Sequence, residues 1–563
     1  MSKGPCGGGR AAREIGWEDD MADAATLDRD VGAEAGEGAL LRAIGWKDAF
    51  WVASGVPALV LFSIGGIAII VGAPSALVWT ISIIFGLIQA FTYAEIAGLF
   101  PGKSGGASIY GATAWLPYSK VIAPLSVWCN WLAWSPVLVL GASLGAGYII
   151  NALFAESSGV RTWNTNVAHL DFVQSGLTVH LNSTVVLGAV LLLAVFAVQH
   201  RGISGTARIQ LILGGSVVGL LFVIGVVPLL NGSVSMDNFS PFKPLAGFTD
   251  AGAAINGAWD KSGWLVFLGG LFIAAWSTYA FETAICYTSE FKDPKRDTPR
   301  AIFSAGILCL ILFVLVPFTF QGALGVDGLG AAGVADGSNV AEAMGSMLNA
   351  GSVITNIIVF LLVIALIVTI MTSMAGSSRT LYQGSVDGWL PRYLSKVNSH
   401  GAPTRAMWTD LVFNMLLLTL SSSLLILAIS NCCYLVFNFL NLHSGWIHRV
   451  DNGDVPRPWR APTILIAAGA VLAFVNAGFL GAGSDVWGAD TLRNAVIAMA
   501  LVIPVFLFRH YVTDKGVFPE HMLDDLSIEG GSLGVKRAGA LPYVVLAAGA
   551  VVVFAAHWYF FQM

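Results

Sequence analysis

The amino-acid sequence predicts an all-α, polytopic membrane protein with twelve or thirteen membrane spans. Hydrophobic residues make up 56% of its 563 residues and charged residues only 11%, whereas soluble proteins carry about 25% charged residues. The apolar runs have about the 20 residues that a helix needs to cross a bilayer. Runs such as residues 352–370 do not alternate in polarity, unlike the strands of a membrane β-barrel. Helices are therefore the predicted spanning elements.

The N-terminal segment 1–45 differs from the rest of the chain in composition. It is polar and acidic, and it lacks the apolar core of a cleavable signal peptide. We predict a disordered cytoplasmic tail, and we expect the first span to direct insertion into the membrane. The net charge of −5 gives no reason to expect nucleic acid as a partner.

Thirteen spans follow from the apolar runs between charged or Gly/Pro-rich breaks. They are predicted near residues 49–71, 76–100, 121–152, 182–199, 207–230, 264–289, 302–323, 350–381, 405–423, 425–447, 462–482, 492–510 and 541–561. When the 29 Lys and Arg residues are placed in alternate loops, 25 fall on the side of the N-terminus. Since positive residues are retained in the cytoplasm, the N-terminus is predicted to be cytoplasmic, in a multi-pass protein of the cell membrane. That side is called the inner side below, and the opposite side the outer side.

The sequence predicts no metal site, no disulfide and no cofactor. Five of the six cysteines lie in apolar segments, where a thiol behaves as a small hydrophobic group. These are Cys129, Cys286, Cys309, Cys432 and Cys433. A membrane-embedded enzyme would need paired carboxylates, a histidine cluster or a nucleophile with its base inside the bilayer, and no such set is present, so the chain is not predicted to be an enzyme.

The first predicted span contains a glycine pair, Gly65 and Gly66, between Ile64 and Ile67. Interrupted helices are tolerated in a membrane where their backbone lines a cavity. We therefore predict a helix break here, whose free N–H groups would hold a substrate carboxylate. Close packing of two helices is the alternative reason for glycine at this place.

Acidic residues in apolar segments are candidates for ion coupling or gating. Glu282 lies deep in the sixth predicted span, and such residues usually face a bundle interior or a water-filled path. Glu95 lies near the inner end of the second span, where its side chain can reach the interface and serve in gating or packing. Asp410, near a helix start, is interpreted as a partner of the helix dipole.

Hydroxyl groups are concentrated in the eighth predicted span. Thr369, Thr372 and Ser373, followed by Ser377 and Ser378, form a possible site for a cation such as Na⁺. The alternative is that these hydroxyls bond to their own backbone and bend the helix.

Four segments on the inner side resemble the signatures of a known family. Residues 290–302, EFKDPKRDTPRAI, resemble an E-x-K-N-P-x-R-x-I-P-x-A-I motif, and residues 93–110 resemble S-Y-A-E-L followed by F-P-x-x-G-G-x-Y. Residues 377–403 resemble the family's eighth-span exit, and residues 457–462, RPWRAP, resemble R-P-F-R-x-P. In these segments the chain is similar to the amino acid-polyamine-organocation permeases.

The resemblance implies a five-plus-five inverted repeat of the leucine-transporter type, with breaks in spans 1 and 6. It divides the chain into a transport core at 46–447, a linker with spans 11 and 12 at 448–511, and a loop with a thirteenth span at 512–563. It also implies the site residues. The substrate carboxylate would be bound by the backbone of Ile64, Gly65, Gly66 and Ile67. Its amino group would be bound by the carbonyls of Ser277, Thr278, Tyr279 and Ala280. Trp276 would form a lid, and Glu282 would sense protons.

Three departures from the family pattern stand out. Ile64 replaces the first glycine of the usual G-S-G in span 1, and Ala280 replaces a glycine in span 6. The fifth span has no lysine, which some proton-coupled relatives use in place of a cation.

The predicted function is secondary active transport of an amino acid by alternating access, either proton-coupled or by exchange, with H⁺ or Na⁺ as the possible ion. A carrier of polyamines or other organic cations is the first alternative, and a transporter-like receptor that does not translocate is the second. The bilayer and a small amino acid or amine are the predicted partners.

Overall fold

The computed structural model describes residues 40–250, 252–331, 333–335, 337–524 and 536–562. Each of the thirteen predicted spans contains a helix in this part of the chain. Eleven of these helical stretches are long and apolar enough to cross a membrane, which confirms an all-α, polytopic membrane protein. In chain order, spans 1 to 13 are Trp46–Val71, Ser75–Gly98, Ile122–Leu153, Ser183–Gln199, Ile203–Leu230, Lys261–Glu290, Pro294–Leu329, Ser352–Val386, Thr404–Leu417, Ser423–Asp451, Thr463–Trp487, Thr491–Thr513 and Leu541–Phe561.

The two stretches below that length are spans 4 and 9. Ser183–Gln199 has 17 residues and Thr404–Leu417 has 14, fewer than the ~20 of a full crossing. Both were predicted as spans of 18 or more residues. The difference at span 9 arises because its helix ends at Leu417, before the turn that leads into span 10.

Shorter elements connect the spans. Two antiparallel hairpins lie in outer loops, Asn164–His169 with Thr178–Asn182 and Leu245–Phe248 with Ala254–Asn256, and each contains one register shift. The short helices are Ala107–Trp115, Gly159–Thr162, Val340–Met347 and Glu520–Asp524, and short 3₁₀ turns are Met236–Phe239 and Arg392–Ser395. Ala107–Trp115 is buried throughout, beneath the inner end of the bundle.

Spans 1 and 6 are both interrupted, as predicted. Span 6 is helical over Lys261–Thr278 and continues as 3₁₀ turns at Ala280–Ile285 and Thr288–Glu290. The break therefore falls at the predicted place, although Ala280 stands where a glycine is usual.

The predicted position of the break in span 1 is wrong. The helices Trp46–Val52 and Val60–Val71 are separated by a 3₁₀ turn at Val56–Leu59, so that residues 64–67 lie inside a continuous helix. Pro57 explains the position, because its ring would clash with the carbonyl four residues earlier and it has no N–H to donate. The helix accordingly ends at Val52.

Four pairs of spans that lie five places apart in the chain pack against each other. Span 1 packs against span 6, span 2 against span 7, span 3 against span 8 and span 4 against span 9. Span 5 instead packs on spans 1, 7 and 8, and the five-plus-five inverted repeat stays a prediction. Span 13 packs mainly on span 11, outside this arrangement.

The predicted disordered tail falls almost entirely outside the described residues. Its last part, residues 40–45, is instead packed against the inner side. Ile44 is buried and pairs with Phe291 in a parallel bridge, and the backbone N–H groups of Ala43 and Ile44 donate to the Glu290 carbonyl. Residues 40–45 are therefore structured, so the predicted boundary of the tail at 45 is too late.

The position of the break predicts opposite results for two glycine substitutions in span 1. A Cβ at Gly55 would lie 2.6 Å from Thr372 Oγ1 and 2.7 Å from the Thr369 Cα, whereas a Cβ at Gly66 would lie no closer than 3.4 Å from Trp487. Gly55→Ala should therefore lower the free energy of unfolding by roughly 1–3 kcal/mol, while Gly66→Ala should leave it unchanged or higher. Thermal unfolding of the purified variants measures this, and the reverse order would place the break at the glycine pair.

Candidate substrate site

A small cavity lies where the two interrupted spans meet spans 3 and 10. Its lining is apolar and aromatic, and consists of Leu59, Ala133, Trp134, Val137, Trp276, Ala280 and Tyr434. The space open to the centre of a water-sized sphere is only ≈ 10 Å³, about enough for one water molecule. The lining side chains therefore close around the cavity, and a larger molecule requires the spans to move apart.

The predicted site residues of span 6 divide into two groups. Trp276 and Ala280 line the cavity, and the Trp276 indole donates to Ser430 Oγ at 2.9 Å. The side chains of Ser277, Thr278 and Tyr279 instead bond to Leu59 O, Ser82 Oγ and Asn476 Oδ1. These three side chains attach the break to spans 1, 2 and 11.

The predicted site residues of span 1 do not reach the cavity. Gly65 lies against the backbone of Val334 and Gly66 faces the ring of Trp487, while Ile64 and Ile67 are buried in the core of the bundle. Since the break lies earlier in the chain, Leu59 takes the place at the cavity.

Glu282 lies in the 3₁₀ segment that follows the break of span 6, and it is fully buried. Its Oε1 accepts a hydrogen bond from Trp134 Nε1 at 2.9 Å. Its Oε2 has no hydrogen-bond partner among the described residues and faces Gly106, where a Cβ would lie 3.5 Å away. A buried carboxyl bonded to a cavity residue is suited to exchanging a proton.

The break of span 1 is held by side chains of spans 5 and 8. Thr372 Oγ1 donates to Val52 O at 2.7 Å and accepts from Gly55 N at 3.2 Å, and Thr369 Oγ1 donates to Gly55 O at 3.2 Å. The Gln210 amide donates to Val52 O at 3.1 Å and to Thr372 Oγ1 at 3.0 Å. Donors therefore occupy the oxygen atoms that a cation at this place would need.

The three predicted cation ligands do not come together. Thr369 and Thr372 face the break, but Ser373 donates to the Trp134 carbonyl of span 3 at 2.5 Å. The predicted three-residue set is thus divided between two neighbouring spans, because successive residues of a helix point in different directions.

Sequence reasoning missed Trp134, Tyr434 and Gln210. Trp134 belongs to a run of tryptophans spaced by three, Trp128, Trp131 and Trp134, which is a helical face and was an available signal. Tyr434 and Gln210 carry no local signal, since an isolated tyrosine or glutamine in an apolar helix has many roles.

The family-like segments on the inner side are joined by buried ion pairs. Glu290 forms a bidentate pair with Arg379. Glu95 is buried, rather than reaching the interface as predicted, and accepts from Arg449 Nε at 2.8 Å, Arg457 Nε at 3.1 Å and the Ala461 N–H at 2.8 Å. These contacts favour a packing role for Glu95, while its role in gating stays a prediction.

The loop between spans 12 and 13 covers part of the inner side. Its segment Phe518–Met522, called the inner strap below, places Met522 in a buried position with its sulfur 3.5 Å from Lys103 Nζ. Lys103 Nζ is 3.0 Å from Asp387 Oδ2, and His521 Nε2 is 3.6 Å from Asp387 Oδ1. Burial raises the pKa of Asp387, but the Lys103 charge and hydrogen bonds from His521 and Gln383 outweigh it, so the pKa lies below its ordinary value.

Comparison with known proteins agrees with this architecture. The family model described as "Amino acid permease" matches residues 44–506, which contain spans 1 to 11 and most of span 12 but not span 13. A multi-pass membrane protein with two broken spans around a buried cavity has the organisation of a membrane carrier. The chain belongs to the amino acid permease family, and its membership supports a transporter of amino acids or related organic cations.

Three known proteins are similar to the chain at 22–24% sequence identity. The chain is 22% identical to the branched-chain amino acid permease BcaP of Lactococcus lactis over 56% of this chain and 63% of that protein. It is 24% identical to the polyamine transporter PUT1 of Oryza sativa over 80% of this chain and 74% of that protein. It is also 24% identical to BcaP of Bacillus subtilis over 79% of this chain and 89% of that protein.

The lowered pKa of Asp387 predicts how attachment of the inner strap depends on pH. Folding lowers the pKa of Asp387. Its ionised carboxylate therefore stabilises the attached strap above the ordinary aspartate pKa of about 3.9, and this stabilisation is lost as the pH falls through the lower pKa of the folded state. The strap should therefore stay protected between pH 7 and about 4.5, and Asp387→Asn should expose it throughout this range. Hydrogen exchange of residues 517–522, corrected for intrinsic rates, measures this.

The matched control is Asp454→Asn, because Asp454 pairs with Arg537 at 3.0 Å but is 86% exposed. An exposed pair contributes about 0–1 kcal/mol, so protection of the strap should not change. Equal protection in the wild type and in Asp387→Asn would show that Asp387 does not hold the strap.

Proposed function

We propose that this protein is a secondary carrier in the cell membrane that moves an amino acid with an uncharged, apolar side chain by alternating access. The observation that supports this most directly is the small cavity at the two helix breaks, whose seven lining residues are apolar or aromatic. Two relatives named for branched-chain amino acids agree with such a lining. Movement of the interrupted spans would open the cavity to one side at a time.

The substrate is held by two kinds of group. Backbone at the breaks near Leu59 and Ala280 binds the charged amino and carboxyl groups, because interrupted helices carry partial charges at their ends. The apolar side chain packs between Trp134 and Trp276. The Tyr434 hydroxyl is buried and has no hydrogen-bond partner among the described residues, so that it is available to a polar group of the substrate.

Coupling to protons or exchange is favoured over coupling to sodium. The Gln210 amide and the Thr372 hydroxyl already donate to the Val52 carbonyl, so a sodium ion at the break of span 1 would have to displace them. Glu282, which is buried and bonded to the cavity residue Trp134, offers a proton site beside the cavity instead.

A polyamine carrier is the second candidate. The similarity to PUT1 and the buried Glu282 carboxyl favour it, since a carboxylate attracts an organic cation. Against it, none of the seven residues that line the cavity is acidic.

The test is uptake of radiolabelled leucine, valine, alanine, putrescine and spermidine into proteoliposomes of the full chain. Each is measured with and without an inward proton gradient, with unlabelled substrate inside, and with choline in place of Na⁺. Saturable uptake of the apolar amino acids, independent of Na⁺, is the expected result. Uptake of only the polyamines supports the second candidate, and substrate binding without flux supports a receptor.

Enlarging a side chain in the cavity should reduce the affinity for large substrates. In Val137→Phe the added ring occupies the space between Trp134 and Trp276, so the KM for leucine should rise about tenfold or more while that for alanine changes less. Val190→Phe is the control, because Val190 is 53% exposed on span 4. Equal effects of both variants would show that the cavity does not bind the substrate.

Glu282→Gln should make uptake insensitive to external pH without abolishing substrate binding. Glutamine keeps a carbonyl oxygen for the Trp134 indole but cannot exchange a proton. Glu342→Gln, at an exposed position of the Val340–Met347 helix, is the control and should keep the wild-type profile. The measurement is the initial uptake rate across pH together with equilibrium binding, and an unchanged profile in Glu282→Gln would remove its proton role.

A further inference from the structure

Asp410 in span 9 is a second buried carboxyl that the substrate cavity does not use. It is fully buried, and it accepts three hydrogen bonds. Trp131 Nε1 and Ser135 Oγ donate to Oδ1 at 2.9 and 2.5 Å, and Ser377 Oγ donates to Oδ2 at 2.5 Å. The simple interpretation as a dipole partner at a helix start is therefore wrong, because the carboxyl is bound by side chains of spans 3 and 8.

No positive charge among the described residues forms an ion pair with Asp410. None of the ion pairs within the described part of the chain includes it. The charged and titratable groups on its own helix and on the elements packed against it are Arg405, Arg379, Tyr382, Arg392, Tyr393, Cys129, Tyr148 and Lys396. Among these, Arg379 is paired with Glu290, Tyr393 bonds to Thr409, and Arg405 is exposed. A carboxyl that lacks a cation in an apolar bundle is an expensive feature and usually serves an ion pathway.

The hydrogen-bond set suits a proton better than a metal ion. An indole N–H and two hydroxyls all donate into the carboxylate, so the ionised form is satisfied without a cation. When a proton binds to one carboxyl oxygen, a hydroxyl can rotate and accept instead of donating, because serine is both donor and acceptor. If residue 410 only joined neighbouring helices by hydrogen bonds, asparagine could do so without a buried ionisable group. A purely structural role therefore does not explain why this residue is an acid.

Asp410 is connected to the cavity through a short stretch of span 3. Ser135 bonds to Asp410, and the preceding residue Trp134 lines the cavity and donates to Glu282 at 2.9 Å. Span 8 offers a second connection, because the single hydroxyl proton of Ser377 is shared between Asp410 Oδ2 and the Ser373 carbonyl, 2.8 Å away, and Ser373 donates to the Trp134 carbonyl at 2.5 Å. The two buried carboxyls are thus bound to adjacent residues of one helix.

We propose that Asp410 is a second proton-binding site of this carrier, and that its occupancy reaches the substrate cavity through Trp134 and Ser135. A hydronium ion from the open side transfers its proton to Asp410 Oδ2, which forms a new O–H bond and leaves a water molecule. The Ser377 hydroxyl then turns from donor to acceptor, and the contact between spans 3, 8 and 9 changes. The inference rests on the proposed function and extends it to a second coupling site.

The experiment compares the wild type with Asp410→Asn in proteoliposomes. Substrate-driven proton uptake is followed with a pH-sensitive dye, and exchange of labelled for unlabelled substrate is followed in parallel. Proton uptake per substrate should fall by about half, because Glu282 remains as the other proton site, while exchange persists because it needs no net proton movement. A wild-type ratio in Asp410→Asn, or coupling that follows Na⁺ instead of pH, would overturn the proposal.

Two additional variants separate this proton role from a structural one. Ser377→Ala keeps the acid and removes one donor to its ionised form, so the midpoint of the pH profile of KM should shift toward higher pH. Asp454→Asn, an exposed aspartate on the inner side, should leave the profile unchanged. If Ser377→Ala lowers the maximal rate without moving the midpoint, Asp410 has only a positioning role.

Infrared difference spectroscopy between acidic and neutral pH separates failure of this proposal from failure of the proposed function. A protonated-carboxyl band that is present in the wild type and in Glu282→Gln, and is absent in Asp410→Asn, supports the proton site even where none of the tested substrates is transported. Absence of this band in Glu282→Gln, which retains Asp410, would contradict it.

Discussion

The requirement that backbone polar groups be satisfied inside the membrane governs this structure. Breaking spans 1 and 6 releases carbonyl and N–H groups where no bulk water can bind them. Thr372, Thr369 and Gln210 bind the released groups of span 1, and Ser277 reaches the Leu59 carbonyl from span 6. The interrupted spans can therefore exist only where spans 5 and 8 present polar side chains to them, which fixes the relative positions of these helices around the cavity.

The inner side is organised by buried charges that join segments distant in the chain. Glu290 with Arg379 joins the span 6 exit to span 8, Glu95 joins span 2 to the end of span 10 and the loop that follows it, and Lys103 with Asp387 joins the loops after spans 2 and 8. Breaking such a pair costs about 3–5 kcal/mol because it leaves a charge buried and unpaired. These ion pairs lie in the segments that carry the family resemblance, and each charged residue there requires its partner.

Span 3 contacts both the substrate cavity and the two buried carboxyls. One face of its middle turn supplies Ala133, Trp134 and Val137 to the cavity, while Trp134 also binds Glu282 and Ser135 binds Asp410. The Ser135-Pro136 step interrupts the helix between Ile122–Trp134 and Val137–Leu153, so that neighbouring residues can point to different partners. A change at either carboxyl therefore acts on the same stretch of helix that closes the cavity.

The sequence alone determined the membrane-helix architecture, the positions of the spans, the break in span 6 and the burial of Glu282. These follow from hydropathy and from short motifs, and transfer of a helix into lipid depends on its own side chains. Tertiary structure decided the rest. It moved the break of span 1 from the glycine pair to Gly55 and Pro57, separated Ser373 from Thr369 and Thr372, and brought Trp134, Tyr434 and Gln210 to the site. These contacts join residues more than 70 positions apart in the sequence. They depend on which faces of the helices pack together, and the sequence of a span that is hydrophobic on nearly all sides does not specify this.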